Sequence, residues 1–300
     1  MAKDKSPLLG ELRKLFVQTG RKAYKLSWDP SKPTSVYDSK VGGIMYWDPD
    51  VPWPLDTNGY SLRCMCQLNC GDLGFEFPLP VEGMLQFFIE IDSVTGSPAY
   101  KPEAKGSFKV VYHRGLKKGV TVDMVEEIFH EHKVNRHYHS PTKWGPVNGE
   151  CGLRADKFLS VRRSNSYCLP VLQEYCQQHH LPHPESFKEA LAILDLDMFE
   201  LIELDQRLVR KEDRRRNHFG EYSHTNLLGY PFYTEDDPLE GEEQTEQREY
   251  YDTLLLSLDS ESWDQGSLVL GDSGIANFMI NSSRLYRRDF SDVYFYWDCY

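Results

Sequence analysis

The chain has 300 residues, enough to bury one large core or two smaller ones, and it is 40% hydrophobic and 27% charged, as an ordinary globular protein is. Its net charge of −12 repels phosphate backbones and acidic lipids, which argues against sequence-independent binding to nucleic acid or to membranes. The N-terminus is charged throughout, and no segment approaches the roughly 18 apolar residues of a membrane span. The seven cysteines are odd in number and form no dense disulfide framework, so we expect a cytoplasmic protein.

The N-terminal half is predicted to begin with a helix and to continue as strands. Ser6 and Pro7 precede apolar residues at helical spacing up to Phe16, a pattern typical of a capped amphipathic helix. The segment Pro30–Pro54 is rich in Pro, Gly, Asp and Trp, which predicts turns and an extended loop. A short helix is predicted after Thr121. The predicted strands of this half are Leu62–Asn69, Gly83–Asp92 and Phe108–His113.

The middle of the chain has apolar residues at helical spacing. Helices are predicted at Leu169–Gln178, Pro184–Leu194 and Asp197–Arg210. The basic run Arg214–Arg216 is interpreted as a helix-terminal cluster that offsets the helix dipole, and Tyr230–Glu249 as an exposed acidic loop. The predicted strands of the C-terminal half are Thr253–Ser257, Ser267–Leu270, Ile275–Ile280 and Val293–Trp297.

Two stretches of seven residues, far apart in the chain, have nearly the same pattern. Gly83–Ile89 and Gly274–Ile280 each open with Gly, carry an amide side chain at the fourth position and end with Phe, a large apolar residue and Ile. The likeness extends outward, because Leu68 precedes the first stretch by 15 positions and Leu258 precedes the second by 16. Internal similarity of this kind predicts two copies of one β-rich unit.

The predicted fold class is α+β, with an internal duplication of two antiparallel β-rich units and a helical insert between them, packed as one globule. The predicted divisions are an N-terminal helix and lead-in over residues 1–36, a first β-rich repeat over 37–115, a mainly helical insert over 116–216 and a second β-rich repeat over 217–300.

Several motifs resemble, in their order and spacing, those of one known family. The motifs of the first half are Ser39–Gly43, Trp53–Pro54, Gln67–Asn69 and Gly83–Phe88. Those of the second half are His224–Phe232, Asp237–Pro238, Gly271–Gly274, Leu285–Ser291 and Trp297–Tyr300. Over roughly residues 35–300 the chain resembles the YwqG-like family, a domain of unknown function found mostly in bacteria.

This resemblance implies a duplicated α+β fold and brings no established activity, cofactor or catalytic residue. The chain departs from the family pattern at Glu235, where Gln is frequent, and at Ile44–Trp47, where a Pro-rich stretch is common. If these two loops contact a ligand, its identity in this chain can differ from that in relatives.

Four histidines fall within one run of ten residues: His130, His132, His137 and His139. Neutral imidazole is a good ligand for zinc, copper or nickel, which makes the run a candidate metal site. The spacing matches no structural zinc pattern, and the neighbouring Lys133 opposes a cation. We therefore interpret the run as an exposed polar loop and predict no metal and no other cofactor.

Two further motifs are interpreted as structural. Cys64, Cys66 and Cys70 would suit a soft metal, but strand alternation places the first two on one face of a core strand, with no second cysteine pair nearby. Gly271–Gly274 resembles the nucleophile segment of trypsin-like proteases, yet the flanking Gly and the His motif of those enzymes are missing. A hairpin turn whose glycines take positive φ is the simpler interpretation.

Two carboxylates and an imidazole are the candidates for acid–base chemistry. Asp259 and Asp272 lie at the ends of adjacent predicted strands, and His224 lies at the start of the same repeat. The three side chains would serve a hydrolase if they converged, and turn or cap roles are the alternative.

The aromatic and proline-rich segment Tyr46–Trp53 is the candidate binding surface, because rigid aromatic side chains bind with little loss of entropy. The alternative is that its two tryptophans fill the core of the first unit. The candidate binding residues are Trp47, Trp53, Gln67, Tyr230 and Glu235.

Two functions remain open on the sequence. The first is a non-enzymatic cytoplasmic binding protein, immunity-like or regulatory, whose acidic surface suits a basic protein partner. The second is a hydrolase-type enzyme with an acid–base site in the cleft between the two repeats, formed by His224, Asp259 and Asp272. The sequence indicates neither the ligand nor the oligomeric state.

Overall fold

The computed structural model describes residues 5–32, 34–90, 106–134, 138–140, 143–161, 165–197, 200–201, 223–235, 237–239 and 244–299, with the backbone alone at 138–140, 143–144, 165–167 and 245. The described strands are β1 (Arg21–Asp29), β2 (Lys40–Gly42), β3 (Arg63–Asn69), β4 (Met84–Ile89), β5 (Phe108–His113), β6 (Tyr138–Ser140), β7 (Lys143–Trp144), β8 (Val147–Asn148), β9 (Glu150–Ser160), β10 (Asn226–Leu227), β11 (Thr253–Asp259), β12 (Glu261–Trp263), β13 (Gly266–Leu268), β14 (Ile275–Ile280) and β15 (Val293–Asp298). The described helices are α1 (Ser6–Gln18), α2 (Cys70–Leu73), α3 (Val122–His130), α4 (Asn165–Gln178), α5 (Phe187–Leu194), α6 (Thr245–Tyr250) and α7 (Ser282–Arg287).

Ten of these strands form one antiparallel sheet in the order β15-β14-β11-β10-β1-β9-β2-β3-β4-β5. We call β2-β3-β4-β5 the first arm and β10-β11-β14-β15 the second arm. The central pair β1–β9 joins the arms in continuous register from Arg21↔Ser160 to Asp29↔Gly152. A small sheet, β12-β13-β8-β7-β6, accompanies the large one. The helices and the large antiparallel sheet confirm the α+β class.

The central pair is where the structure departs from the sequence prediction. Residues 1–36 were expected to be a helix and a lead-in, yet they contain β1. Residues 116–216 were expected to be mainly helical, yet they contain β9, the longest described strand, as well as α3, α4 and α5. Both strands lie in the middle of the sheet because each pairs with strands that are distant in the sequence: β1 with β9 and β10, and β9 with β1 and β2. Local sequence patterns do not show such long-range pairing. The predicted helix Asp197–Arg210 lies almost wholly outside the described residues.

The two arms share several local features. The β3–β4 register shifts between Cys64 and Cys66, and the β11–β14 register shifts between Leu254 and Leu256, so each arm has a bulge in the corresponding strand. After each of these strands a backbone N–H donates to the glycine that opens the next strand. These bonds run from Cys70 N to Gly83 O (2.9 Å) and from Ser260 N to Gly274 O (3.1 Å).

The inner faces of the two arms pack against each other through aromatic rings. The ring of Phe87 on β4 lies 4.9 Å from that of Phe278 on β14, and Phe278 lies 4.5 Å from Phe295 on β15. Phe108 on β5 contacts Phe295 at 5.1 Å, so the two outermost strands of the sheet approach each other. The sheet is therefore folded over on itself, with a core shared by both halves of the chain.

The N-terminal helix packs away from this main core. Apolar side chains of α1, α4 and α5 form a second buried cluster that includes Leu12, Phe16, Val171, Leu172 and Ala190. The helices are amphipathic, and this cluster buries their apolar faces. No helix among the described residues has the length and apolarity that crossing a membrane requires.

Candidate functional site

The candidate site is an opening between the two outermost strands of the large sheet. A cleft of about 1320 Å³ separates the free edge of β5 from the start of β15, and both arms line it. We call it the seam cleft. From the first arm and its loops it is lined by Trp47, Val51, Pro52, Gly106 and residues 108–112, and from the second by Gln247, Tyr251, Arg284, Arg288 and residues 289–294.

The carboxylates of the seam cleft are already occupied by neighbours. Arg284 forms ion pairs with Asp289 and with Asp292, and the Tyr251 hydroxyl donates to Asp292 Oδ1 at 2.8 Å. Hydrogen bonds from Ser291, and then the Arg284 charge, hold the pKa of Asp289 below its usual range. Burial, and then the Asp292 carboxylate, raise the pKa of Tyr251, so this hydroxyl stays protonated.

Two cations of the cleft have no carboxylate partner among the described residues. Lys109 is exposed on β5, and Arg288 donates to the backbone carbonyls of Pro78, Leu285 and Tyr286. With Arg284, the lining residues that the structure describes include three cations and two carboxylates. The seam cleft is thus locally cationic in a chain whose net charge is −12.

The candidate acid–base residues lie elsewhere. Asp259 Oδ2 accepts from the backbone N–H of His224 at 3.0 Å and lies 3.4 Å from its Nδ1, and the imidazole stacks on Phe232 with ring centroids 3.9 Å apart. Asp272 is exposed in the turn before β14 and has no hydrogen bond to the pair. None of the three predicted residues lines the seam cleft.

A third carboxyl, that of Glu261, lies near this pair and was not predicted from the sequence. Burial, and then the neighbouring Asp259, raise the pKa of Glu261 to about 7. Asp259 is 1% exposed, and its Oδ1 has no hydrogen-bond partner among the described residues. Glu261 opens β12, a strand of three residues with no strong sequence pattern. The one sequence signal that could have identified this residue is its position two residues after Asp259.

The two tryptophans of the aromatic segment are buried rather than available to a ligand. Trp47 is 1% and Trp53 6% exposed, and their rings pack 4.9 Å apart over Phe88. Their indole N–H groups donate to the carbonyls of Val51 and Leu62, both at 2.8 Å. The structure therefore supports the core interpretation of this segment, although Trp47 also borders the seam cleft.

Gln67 and Tyr230 also hold the fold together. Gln67 is fully buried, and its Oε1 accepts from Tyr46 N and from Gln86 Nε2 at 2.9 and 2.8 Å. Tyr230 is 5% exposed and donates to Thr19 O at 2.8 Å. Among the candidate binding residues Glu235 alone is exposed, and its backbone N–H donates to Asp298 Oδ2 at 3.0 Å.

The structure assigns no ligand set to the histidine run. His130 is exposed, meets the Phe129 ring edge to face and lies 3.4 Å from Glu126, and His132 is partly buried. His137 lies outside the described residues, and only the backbone of His139 is described. No group of three or more His, Cys, Asp or Glu side chains with a geometry for a metal ion occurs in the described part of the chain.

The other two motifs are part of the packing. Cys64, Cys66 and Cys70 are buried free thiols, and burial raises the pKa of each, to about 12 for Cys70, which keeps them protonated and unreactive. The segment Gly271–Gly274 forms a turn before β14, but the predicted hairpin is wrong, because β13 and β14 belong to different sheets and do not pair with each other. Positive φ occurs at Gly271 (56°) and at Ser273 (74°) rather than at Gly274. A Cβ on Gly274 would lie 2.1 Å from Asp298 O, so close strand packing requires this glycine.

Comparison with protein families finds one match. Residues 39–299 match the family described as "Domain of unknown function (DUF1963)". The comparison with curated proteins finds no match. The matched segment covers both arms and leaves out α1 and β1.

Proposed function

Because the chain belongs to the DUF1963 family, whose description assigns no activity, we propose from the geometry that it is a non-enzymatic binding protein that receives part of a protein partner in the seam cleft. The observation that carries the proposal is the cleft itself, which both arms line. Its volume of about 1320 Å³ exceeds the roughly 300–1,000 Å³ of most small-molecule pockets. A segment of a macromolecule fits such a cleft better than a metabolite does.

The chemistry of the lining favours binding over catalysis. The residues described as lining the cleft include no His and no Cys, and both carboxylates are paired with Arg284. A general base or an activated nucleophile needs a free, titratable group at the surface of the site. An immunity-like or regulatory role, in which the protein occupies a partner, needs neither.

The proposal also covers the cellular location of the protein, its family and the origin of its two arms. Six buried free thiols, with no disulfide in the described part of the chain, support a reducing cytoplasm, and the sequence motifs support a place among YwqG-like proteins of bacteria. We also infer that the arms are copies of one unit, which the matching bulges and glycine contacts support. Since β1 and β9 occupy matching central positions, each copy would begin at one of these strands.

Site-specific photo-cross-linking in native cells tests the binding proposal. A photoreactive residue at Val51, which is 37% exposed and lines the cleft, is compared with one at Val122, which is 48% exposed on α3 and outside the cleft. We expect one protein to be cross-linked from position 51 alone, and that protein, once purified, to bind the chain saturably. Equal adducts from both positions, or none, would contradict the proposal.

A hydrolase remains the second candidate because Glu261, with its pKa raised to about 7, lies near the His224–Asp259 pair. Replacing Glu261 with Gln removes the titrating group and keeps the shape of the side chain. Loss of turnover on a panel of ester, amide and phosphoester substrates, with unchanged thermal stability, would favour the enzyme. Unchanged turnover across the panel would exclude Glu261 from such a role.

A further inference from the structure

The edge of β5 presents backbone groups that no described strand pairs. Among the described strands β5 pairs with β4 alone. The hydrogen bond from Glu90 N to Ser107 O (2.7 Å) extends this ladder by one pair and shows which residues of β5 direct their backbone groups towards β4. Bonded positions alternate along an antiparallel strand, so Phe108, Val110 and Tyr112 direct their N–H and C=O groups to the free edge. Residues 108–112 line the seam cleft without a break, so this edge borders the cleft.

This edge has only one of the features by which proteins commonly protect an edge strand, a single lysine. The six residues of β5 include no proline, and their pairing with β4 has no bulge. Lys109 is the only residue of the strand that always carries a charge. Six extended residues span roughly 20 Å, enough to template a partner strand of similar length.

The charges of the cleft indicate what such a strand would carry. Lys109 on β5 and Arg288 at the end of α7 have no carboxylate partner in the described chain. Successive side chains of an extended segment point to opposite sides, so carboxylates at alternate positions would face one cationic wall of the cleft. An acidic segment is complementary to these two cations, and a basic one is not.

One end of the cleft has an exposed aromatic pair. Phe77 and Tyr286 are 59% and 56% exposed, and their rings meet edge to face at 4.6 Å. Arg288 connects this pair to the cleft, because its guanidinium lies 5.9 Å from the Phe77 ring and donates to Pro78 O. Exposed aromatic residues next to arginine are typical of the energetic centre of a protein interface.

We propose that the seam cleft binds an extended acidic segment of the partner as an added strand on the free edge of β5, with a large apolar residue of that segment on the Phe77–Tyr286 pair. This inference rests on the proposed function and specifies the chemistry of the partner. Backbone hydrogen bonds to Phe108, Val110 and Tyr112 supply affinity, and Lys109 and Arg288 select for carboxylates. The basic partner expected from the net charge of −12 would need another part of the surface.

A display library of random peptides tests the charge and the edge together. The library contains peptides of about ten residues, which are longer than β5 itself. It is offered to three proteins: the unsubstituted full chain, the variant Lys109→Glu and the control Lys118→Glu. Lys118 is exposed and lies outside the cleft, so its variant makes the same charge change elsewhere. We expect the full chain and the control to enrich acidic peptides with alternating apolar residues and to bind them about tenfold more tightly than Lys109→Glu does.

Hydrogen exchange with an enriched peptide then tests strand addition. The amides of Phe108, Val110 and Tyr112 should exchange more slowly on binding, and a peptide N-methylated at alternate positions should lose both the protection and the affinity. Enrichment of basic peptides, no enrichment, or protection confined to other segments would overturn the inference. In each of these cases a partner cross-linked from position 51 would still support the proposed function, whereas the absence of any cross-link from that position would contradict the proposed function itself.

Discussion

At the level of single residues, the most informative pair is His113 and Asp298, which close β5 and β15 at matching ends of the two arms. They are 6% and 4% exposed. Burial lowers the pKa of His113 to about 4 and raises that of Asp298 to about 6, so it favours the neutral form of both. The imidazole is satisfied as a neutral donor to Gln86 Oε1 at 3.1 Å, whereas Asp298 Oδ1 has no partner among the described residues.

Asp298→Asn should stabilise the protein at alkaline pH. The folded pKa of about 6 lies above the ordinary value of 3.8, so this carboxyl favours folding fully below pH 4, and that contribution is lost as the pH rises through 6. The amide keeps an acceptor for Glu235 N and avoids the buried charge. Urea unfolding near pH 8 should show a free energy of unfolding higher by up to about 3 kcal/mol, and the difference should disappear below pH 4. The exposed Asp272→Asn should change neither value, and a destabilised Asp298→Asn at pH 8 would contradict the argument.

His113 should produce the opposite pH dependence. Its folded pKa of about 4 lies below the ordinary 6.5, so its contribution to stability is complete above pH 6.5 and is lost as the pH falls through 4, by about 3 kcal/mol in total. Two carboxyls with raised pKa values, Asp298 and Glu261, oppose this effect, so urea unfolding is measured in a background that carries both Asp298→Asn and Glu261→Gln. In that background the free energy of unfolding should fall between pH 7 and pH 4, and the imidazole C–H resonances of the folded protein should titrate below pH 5. A midpoint near 6.5 would show that the ring is hydrated rather than buried.

At the level of strands, sequence patterns located those that belong to the repeated motif. The stretches Gly83–Ile89 and Gly274–Ile280 correspond to β4 and β14 with their opening glycines. Both strands are buried at every position, and a short, mainly apolar run after a turn is a pattern that the local sequence shows. The strand β1 was missed although Tyr24, Leu26 and Trp28 alternate within it, and β9 was missed because few of its residues are buried. Both strands owe their place to pairing across the chain, which has no local signature.

The two opening glycines allow a direct test of this strand packing. A Cβ on Gly83 would lie 2.3 Å from His113 O, and one on Gly274 would lie 2.1 Å from Asp298 O. Gly83→Ala and Gly274→Ala should therefore each lower the free energy of unfolding by roughly 2 kcal/mol or more. In Gly10→Ala, within α1, the new methyl meets no atom within 4 Å, so this control should gain about 0.5–1 kcal/mol instead. Equal effects at all three positions would show that helix and strand propensity, rather than close approach, decides the outcome.

At the level of the whole molecule, the sequence indicated a groove between the two halves but not its composition. The lining brings Lys109 together with Arg284 and Arg288, which lie far apart in the chain and carry no shared motif. The predicted acid–base residues His224 and Asp259 do meet, but away from the groove, where they join the start of β10 to the end of β11. The seam cleft is formed by loop ends and strand edges, so its composition depends on how the sheet folds over on itself. That folding follows from long-range strand pairing, which the spacing of residues in a sequence motif does not show.

The interleaving of β1 and β9 makes a final prediction about folding. In the sheet, β9 lies between β1 and β2, and β1 lies between β9 and β10, so neither half can pair its own first strand with its own arm. Fragments 1–134 and 138–300 should each be unfolded alone, since the central strands of each would expose unpaired backbone groups and the inner face of one arm. When mixed, they should recover the β-sheet signal in far-ultraviolet circular dichroism and elute as one complex. Asp156→Pro in the second fragment should prevent recovery, because Asp156 and Lys25 form a hydrogen-bonded pair of the β1–β9 ladder and proline has no N–H to donate. Cooperative unfolding of fragment 1–134 alone would show that the arms are independent units instead.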